Sequence, residues 1–320
     1  GAAGSMLATG FGFLLACRTV WGFGAAGASL LHFTMARDLY SGDRMARVMS
    51  LISAVFLIGP VISPLVAEAI LWAASWRWVY AVGLLFSVAI TAMSFRFGET
   101  LDPAHRRPLR LGPTIAAARR VFGCRRSMLY IAALTFADGA FLLFLTSTQQ
   151  VFDIVYGRAH QFAVLFAATA IVGGIAFLLL NPAIGRWGSH PVGLAAVGSA
   201  LIVNTVLLIL TMASNGVPNF WIWFILMMLG STLLSLLTPV ALSCALEPLG
   251  DVAGTATGVL GLGFITCGSL LSAVVSMRIG ETTTPWAIGA VGYGSISLAF
   301  LFMAGRAPDP IDAEPTMAHG

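Results

Sequence analysis

Lysine is absent from this 320-residue sequence, and charge of any sign is scarce, with charged residues making up 9% of it. An ordinary soluble domain carries about 25% charged residues. Set beside a hydrophobic content of 58%, that scarcity excludes a soluble globular protein, a disordered chain and a fibrous one. A single core does not hide so much apolar surface, and a water-exposed remainder would aggregate. Part of the solvent must be lipid. Cysteine is sparse too. Cys17, Cys124, Cys244 and Cys267 are scattered without metal-ligand or C-x-x-C spacing. No disulfide framework and no zinc site is expected from them, and they read as small apolar packing residues. The sequence offers no nucleophile–base constellation, metal cluster or phosphate loop, so neither an enzyme nor a cofactor or metal site is expected. The 17 basic residues exceed the 13 acidic ones by +4. That surplus is too small to suggest a nucleic-acid partner, and the placement of the arginines says more than their sum.

What the chain does have is nine apolar runs, at 9–36, 48–72, 78–97, 127–151, 161–182, 192–213, 219–244, 254–277 and 285–304. A spanning helix needs roughly 20 mostly apolar residues. In lipid a backbone must satisfy its own hydrogen bonds, so the runs predict helices, where strands would be shorter and alternate in polarity. The fold class expected is an all-α polytopic membrane protein. Arg18, Glu68 and Asp138 are the charged residues clearly inside spans. Loops on one side hold Arg37, Arg44, Arg47, the arginines from Arg96 to Arg126, Arg186 and Arg306, which is 13 of the 17. The opposite loops hold Arg77, Arg158 and Arg278. This bias predicts that the arginine-rich side is cytoplasmic, with the N-terminus outside and the C-terminus inside.

The longest polar stretch, 98–126, contains seven Arg and three Pro. It predicts a basic cytoplasmic linker between a bundle in 1–97 and another in 127–305. Residues 114–122 fit a basic amphipathic helix on the inner leaflet, and equally a solvated linker that only enforces topology. The tail 306–320 has the composition of a disordered cytoplasmic segment. No cleavable signal peptide is recognisable: the N-terminus has no charged n-region, and the chain begins with Gly.

Three blocks carry more specific information. Residues 18–29, R-T-V-W-G-F-G-A-A-G-A-S, set an arginine ahead of small residues, with Gly22 and Ala26, and Ala25 and Ser29, spaced for close helix contact. The formal G-x-G-x-x-G at Gly22, Gly24 and Gly27 lacks the strand–helix context of a nucleotide site. Residues 59–68, G-P-V-I-S-P-L-V-A-E, put Pro60 and Pro64 one helical turn apart after Gly59, predicting a bent helix. A-S-W-R-W-V-Y at 74–80 reads as a turn with an aromatic belt around Arg77.

In this order the blocks resemble the major facilitator superfamily, and within it the drug:proton antiporters of the bicyclomycin-resistance (Bcr/CflA-type) subfamily. There an R-x-x-Q-G-x-G-A-A helix leads to R-D-L-[FY], matched here by Arg37, Asp38, Leu39 and Tyr40. A P-x-x-[AG]-P-x-x-G-G helix and W-R-W-[IV]-[FY] follow. A-G-T-A at 253–256 looks like the opening of the family's helix 11, and N-P-A-I-G-R-W-G at 181–188 like a weaker copy of its loop signature. Trp21 stands where the subfamily has Gln, and Ala67 and Glu68 replace its Gly-Gly. The resemblance implies a twelve-helix fold in two six-helix halves, of which this sequence would hold helices 4 to 12, an N-terminally truncated member.

The resemblance also implies that the family's helices 1, 4, 7 and 10 line a central cavity. Arg18 and Asp138 then fall on helices 4 and 7. At 1.5 Å rise per residue their depths differ by roughly 6 Å, within reach of long side chains. An ionisable group at mid-membrane is functional by default, so the pair is the candidate for proton coupling. A static buried pair holding the halves together is the other reading. Trp21, Phe141, Phe144, Met227, Met228 and Gln149 are candidate substrate-binding wall residues, against ordinary packing or, for Gln149, a wet helix end. Gly59, Pro60, Pro64, Glu68 and Arg77 form a candidate bending and gating group, with Glu68 either reaching the headgroups or guarding an outer gate. The function expected is efflux of small amphipathic compounds by proton antiport. A metabolite importer or uniporter of the same fold, and a non-transporting truncated membrane protein, are the alternatives. The expected partners are the lipid bilayer, substrate and protons. The expected state is a monomer in the bacterial inner (plasma) membrane.

Overall fold

The computed structural model describes residues 1–39, 48, 59, 62–97 and 111–307, with backbone alone for 27–39, 97, 111–114, 116–117, 250–255 and 259. Pro60, Tyr40, the linker before residue 111 and the tail from residue 308 lie outside the described residues. Every regular element described is helical. In chain order these are α1 (Ala2–Met6), α2 (Phe11–Leu39), α3 (Ile62–Ala73), α4 (Arg77–Phe97), α5 (Leu111–Gly123) and α6 (Arg125–Gln150). There follow α7 (Phe162–Trp187), α8 (Ser189–Ala213), α9 (Phe220–Ser235), α10 (Leu237–Leu246), α11 (Ala253–Ser276) and α12 (Thr284–Gly305). Seven helical stretches of the described chain are long and apolar enough to cross a membrane.

Among the described residues the apolar runs and the helices coincide closely, as the lipid argument demands, and the departures have local causes; run 48–72 lies outside the described residues except at 48, 59 and 62–72. Run 219–244 is interrupted at Leu236, between α9 and α10. Pro239 has no N–H to give the carbonyl of Ser235, the last residue of α9. Gly188 separates α7 from α8 at φ 83° and ψ 161°, a backbone position that glycine adopts without strain. A single extended residue, Cys124 (φ −84°, ψ 98°), breaks the path between α5 and α6. The short α1 has no counterpart among the runs, because five residues leave no hydropathy signal.

The chain forms two compact units, Gly1–Leu109 with Ala163–Ala170, and Arg110–Phe162 with Ile171–Gly320. In the first unit α1 packs on α4 and α2, burying Ala2, Ser5 and Ala8. Arg77 donates to the carbonyl of Ala8 at 3.1 Å, just past the end of α1. A cation is well placed there, because the last carbonyls of a helix carry its negative pole.

In the second unit α6 is the central helix, packed against α9, α10, α11 and α12. Tyr130, Leu134, Ala137, Val197, Leu237 and Leu301 belong to its buried core. Lipid tails are as apolar as leucine, so helices in a membrane associate through close packing and interhelical hydrogen bonds. Ser127 Oγ donates to the carbonyl of Ala245 at 2.6 Å, and Ser297 Oγ to that of Ala133 at 2.8 Å. Tyr293 donates to the carbonyl of Leu271 at 2.8 Å, and Thr146 Oγ1 lies 2.9 Å from Ser272 Oγ. At the Gln150 end, a π-helical turn (Val151–Val155) leads into a cluster of Phe152, Phe220, Trp223 and Phe224.

Candidate functional site

Asp138 lies near the middle of α6, which is long enough to span a bilayer. Its Oδ2 is buried without a hydrogen-bond partner. The close approach of α11 creates this setting. A Cβ added at Gly268 would lie 2.9 Å from Asp138 Oδ2 and 3.2 Å from the Gly139 nitrogen, and one at Gly139 would lie 3.1 Å from Leu271 Cβ. Two facing glycines therefore let the helices meet backbone to backbone where the carboxyl sits. An ionisable oxygen held in apolar surroundings without a partner is costly, and such groups in membrane helices mark ion and substrate paths.

Arg18 lies in α2 of the first unit. Its guanidinium donates to Tyr80 Oη at 3.3 Å and lies 5.9 Å from the Tyr80 ring centroid and 6.0 Å from that of Trp21. Both rings are within cation–π range. Trp21 meets Tyr80 edge to face at 6.1 Å. The indole rests on Gly83, where an added Cβ would fall 2.7 Å from its Cη2. Tyr80 is thus a member of the Arg18 site that the sequence reading assigned only to an aromatic belt. The signal for it was the final residue of W-R-W-V-Y, which α4 carries to the level of Arg18.

The candidate wall residues divide. Phe141 and Phe144 touch at 5.9 Å between ring centroids. Met227 is fully buried, with Thr148 Oγ1 3.7 Å from its sulfur, so in this conformation it presents no surface to a substrate. Met228 is half-buried and Gln149 exposed. The neighbouring Gln150 instead ties α6 to the loop before α12, donating to the carbonyl of Ile279 at 3.0 Å. In the same region Tyr156 donates to the carbonyl of Pro218 at 3.1 Å, and burial holds its hydroxyl proton well above the usual phenol range. Of the bending group, Gly59 is exposed, Pro64 lies in α3 and Glu68 is half-buried there. Arg77 is committed to the Ala8 carbonyl and lies 4.7 Å from the Trp76 ring centroid.

Residues 1–273 match the family model described as Major Facilitator Superfamily. Three relatives are similar over most of the chain. An uncharacterized MFS-type transporter, YdgK, of Bacillus subtilis is 28% identical over 280 residues, 84% of this chain and 67% of that protein. A bicyclomycin resistance protein homolog of Haemophilus influenzae is 26% identical over 303 residues, 92% of this chain and 74% of the relative. The multidrug resistance protein MdtL of Salmonella heidelberg is 26% identical over 294 residues, 90% of this chain and 71% of the relative.

Proposed function

The chain belongs to the Major Facilitator Superfamily, and from that premise we propose that it exports small amphipathic compounds in exchange for protons by alternating access between two bundles. Membership makes it a membrane transporter and not an enzyme. Efflux is supported by relatives named for bicyclomycin and multidrug resistance. Within the second unit, the placement of Arg125, Arg186 and Arg306 at helix ends that connectivity assigns to one side supports a cytoplasmic C-terminus, and we place the protein in the bacterial inner membrane.

The observation that carries the proposal is the buried, unpartnered Oδ2 of Asp138 in the middle of α6. In the proposed cycle Asp138 takes a proton from one face and releases it to the other. The change of charge biases which face the cavity opens to. Arg18 tunes that exchange. In the second unit Phe141, Met228 and Gln149 supply part of the apolar wall with few polar groups that an amphipathic compound needs, and the buried Phe144 and Met227 join it when the helices move; Trp21 offers apolar surface within the first unit.

The test uses the full-length protein in proteoliposomes, with ethidium as the probe and an imposed pH gradient as the driving force. Asp138→Asn is expected to slow gradient-driven efflux at least about tenfold, equivalent to roughly 1.4 kcal/mol, while ethidium binding and melting temperature hold. Unchanged gradient-driven efflux would sink the assignment.

A further inference from the structure

The basic segment ahead of α6 plays no part in the cycle just described, yet its geometry is specific. Leu111–Gly123 forms α5, the extended Cys124 separates it from the spanning α6, and it packs on α6 and α11. Val121 is completely buried and joins the core of the second unit. Ile115, Arg119 and Phe122 fall at i, i+4 and i+7, on one helical face. Ile115 and Phe122 are each 62% exposed, and Arg119 and Arg120 are exposed. The surrounding stretch 98–126 holds seven Arg against Glu99 and Asp102.

We propose that α5 docks on the anionic phospholipid headgroups of the inner leaflet. The exposed Ile115–Arg119–Phe122 face supplies the contact, and Val121 ties the docked helix to the second unit. A water-facing linker has no use for two large apolar side chains flanking an arginine. A helix lying in the headgroup region does, because its apolar residues sink to the acyl boundary while the cation reaches the phosphates. Charge complementarity selects the occupant: an arginine-rich segment at the cytoplasmic end of a span faces a leaflet of negative surface potential. The inner-leaflet assignment rests on the orientation proposed above. The docking itself rests neither on that orientation nor on transport.

The experiment is hydrogen–deuterium exchange of the full chain in nanodiscs. One set contains phosphatidylcholine alone and the other equal parts phosphatidylcholine and phosphatidylglycerol, so anionic lipid faces both sides of the protein. Amides of 115–123 are expected to exchange at least about fivefold more slowly in the phosphatidylglycerol discs, the factor that one arginine near an anionic surface supplies. High salt restores the faster rate. Arg119→Gln removes about fivefold of the slowing, and Ile115→Ser with Phe122→Ser removes it although every charge remains. Unchanged exchange in α8 certifies the fold of each variant. If a variant fails that check, the comparison of lipids on the unaltered chain decides alone. Equal exchange in both lipids overturns the proposal in favour of a solvated linker. Protection by inorganic phosphate in phosphatidylcholine discs overturns it in favour of a soluble-anion site. Cysteine-labelling of the two faces in cells reads the orientation separately, so a failure there is not mistaken for a failure of docking.

Discussion

Arg18 in the first unit lies against two aromatic rings and donates to Tyr80, whereas Asp138 in the second unit keeps a buried carboxyl oxygen without a partner. Each charge sits inside an apolar run, and a glycine shapes each site. Gly83 leaves room for the indole that flanks Arg18, and Gly268 lets α11 close over Asp138. The contrast separates two ways of keeping a charge in a membrane. A cation given a ring face and a hydroxyl by its own unit is settled there, because polarisable and polar neighbours replace part of its hydration. A carboxyl oxygen with no neighbour is unsettled, and its demand is met by something that comes and goes. In this proposal that is the proton.

The sharpest way to break the comparison is to neutralise each charge in turn. Asp138→Asn is expected to slow pH-gradient-driven flux at least about tenfold. Arg18→Gln is expected to leave measurable driven flux with its pH midpoint moved, since a tuning group alters when exchange occurs and not whether it occurs. Flux at a series of pH values reads both. Equal losses in the two variants would mean that the charges act as one pair, and the contrast would fall.

The glycines offer the next largest effect. Gly268→Ala places a methyl group 2.9 Å from Asp138 Oδ2 and 3.2 Å from the Gly139 nitrogen. The nitrogen is backbone, so relief requires the helices to part, at a cost of about 1–3 kcal/mol. Gly83→Ala meets only the far end of the Trp21 ring, at 2.7 Å from Cη2 and 3.0 Å from Cζ2. That ring can swing, so this change is expected to cost less than about 1 kcal/mol of stability but to disturb the Trp21–Tyr80 contact. Thermal unfolding of the two variants in the same detergent ranks them. A larger drop for Gly83→Ala would show that the Arg18 site is the more rigid of the two.

The spans and α5 were legible because both rest on composition over many residues. Apolar runs in lipid become helices, and A-G-T-A at 253–256 does open α11. Asp138 and Arg18 were legible for the converse reason, since a charge within such a run stands out. Their surroundings were not. Gly268 is one of several glycines in α11, and nothing local distinguishes the one that faces Asp138. Tyr80 is 62 residues from Arg18 along the chain, and only the local approach of Tyr80 and Gly83 to Arg18 and Trp21 in the fold makes it a partner. Gln149 and Gln150 look alike in sequence, yet the first is exposed and the second bonds to the Ile279 carbonyl. The break at Leu236 hides in a run whose hydropathy does not falter, because proline disrupts hydrogen bonding without adding polarity.

The smallest expected effect probes what holds the settled charge. Tyr80→Phe removes the hydroxyl that accepts from Arg18 at 3.3 Å and leaves the ring whose centroid is 5.9 Å from the guanidinium carbon. A hydrogen bond to a charged group is worth about 1.5–3 kcal/mol when shielded from water, but this one is exposed, so it falls toward or below the lower figure, and the cation–π contact remains. The melting temperature is therefore expected to fall by a few degrees at most, and the pH midpoint of driven flux to stay near that of the unaltered protein. Tyr80→Ala removes ring and hydroxyl together and is expected to shift the midpoint in the same direction as Arg18→Gln. If Tyr80→Phe alone reproduces the Arg18→Gln shift, the hydroxyl and not the aromatic face positions the cation. The two charges would then differ in a single hydrogen bond.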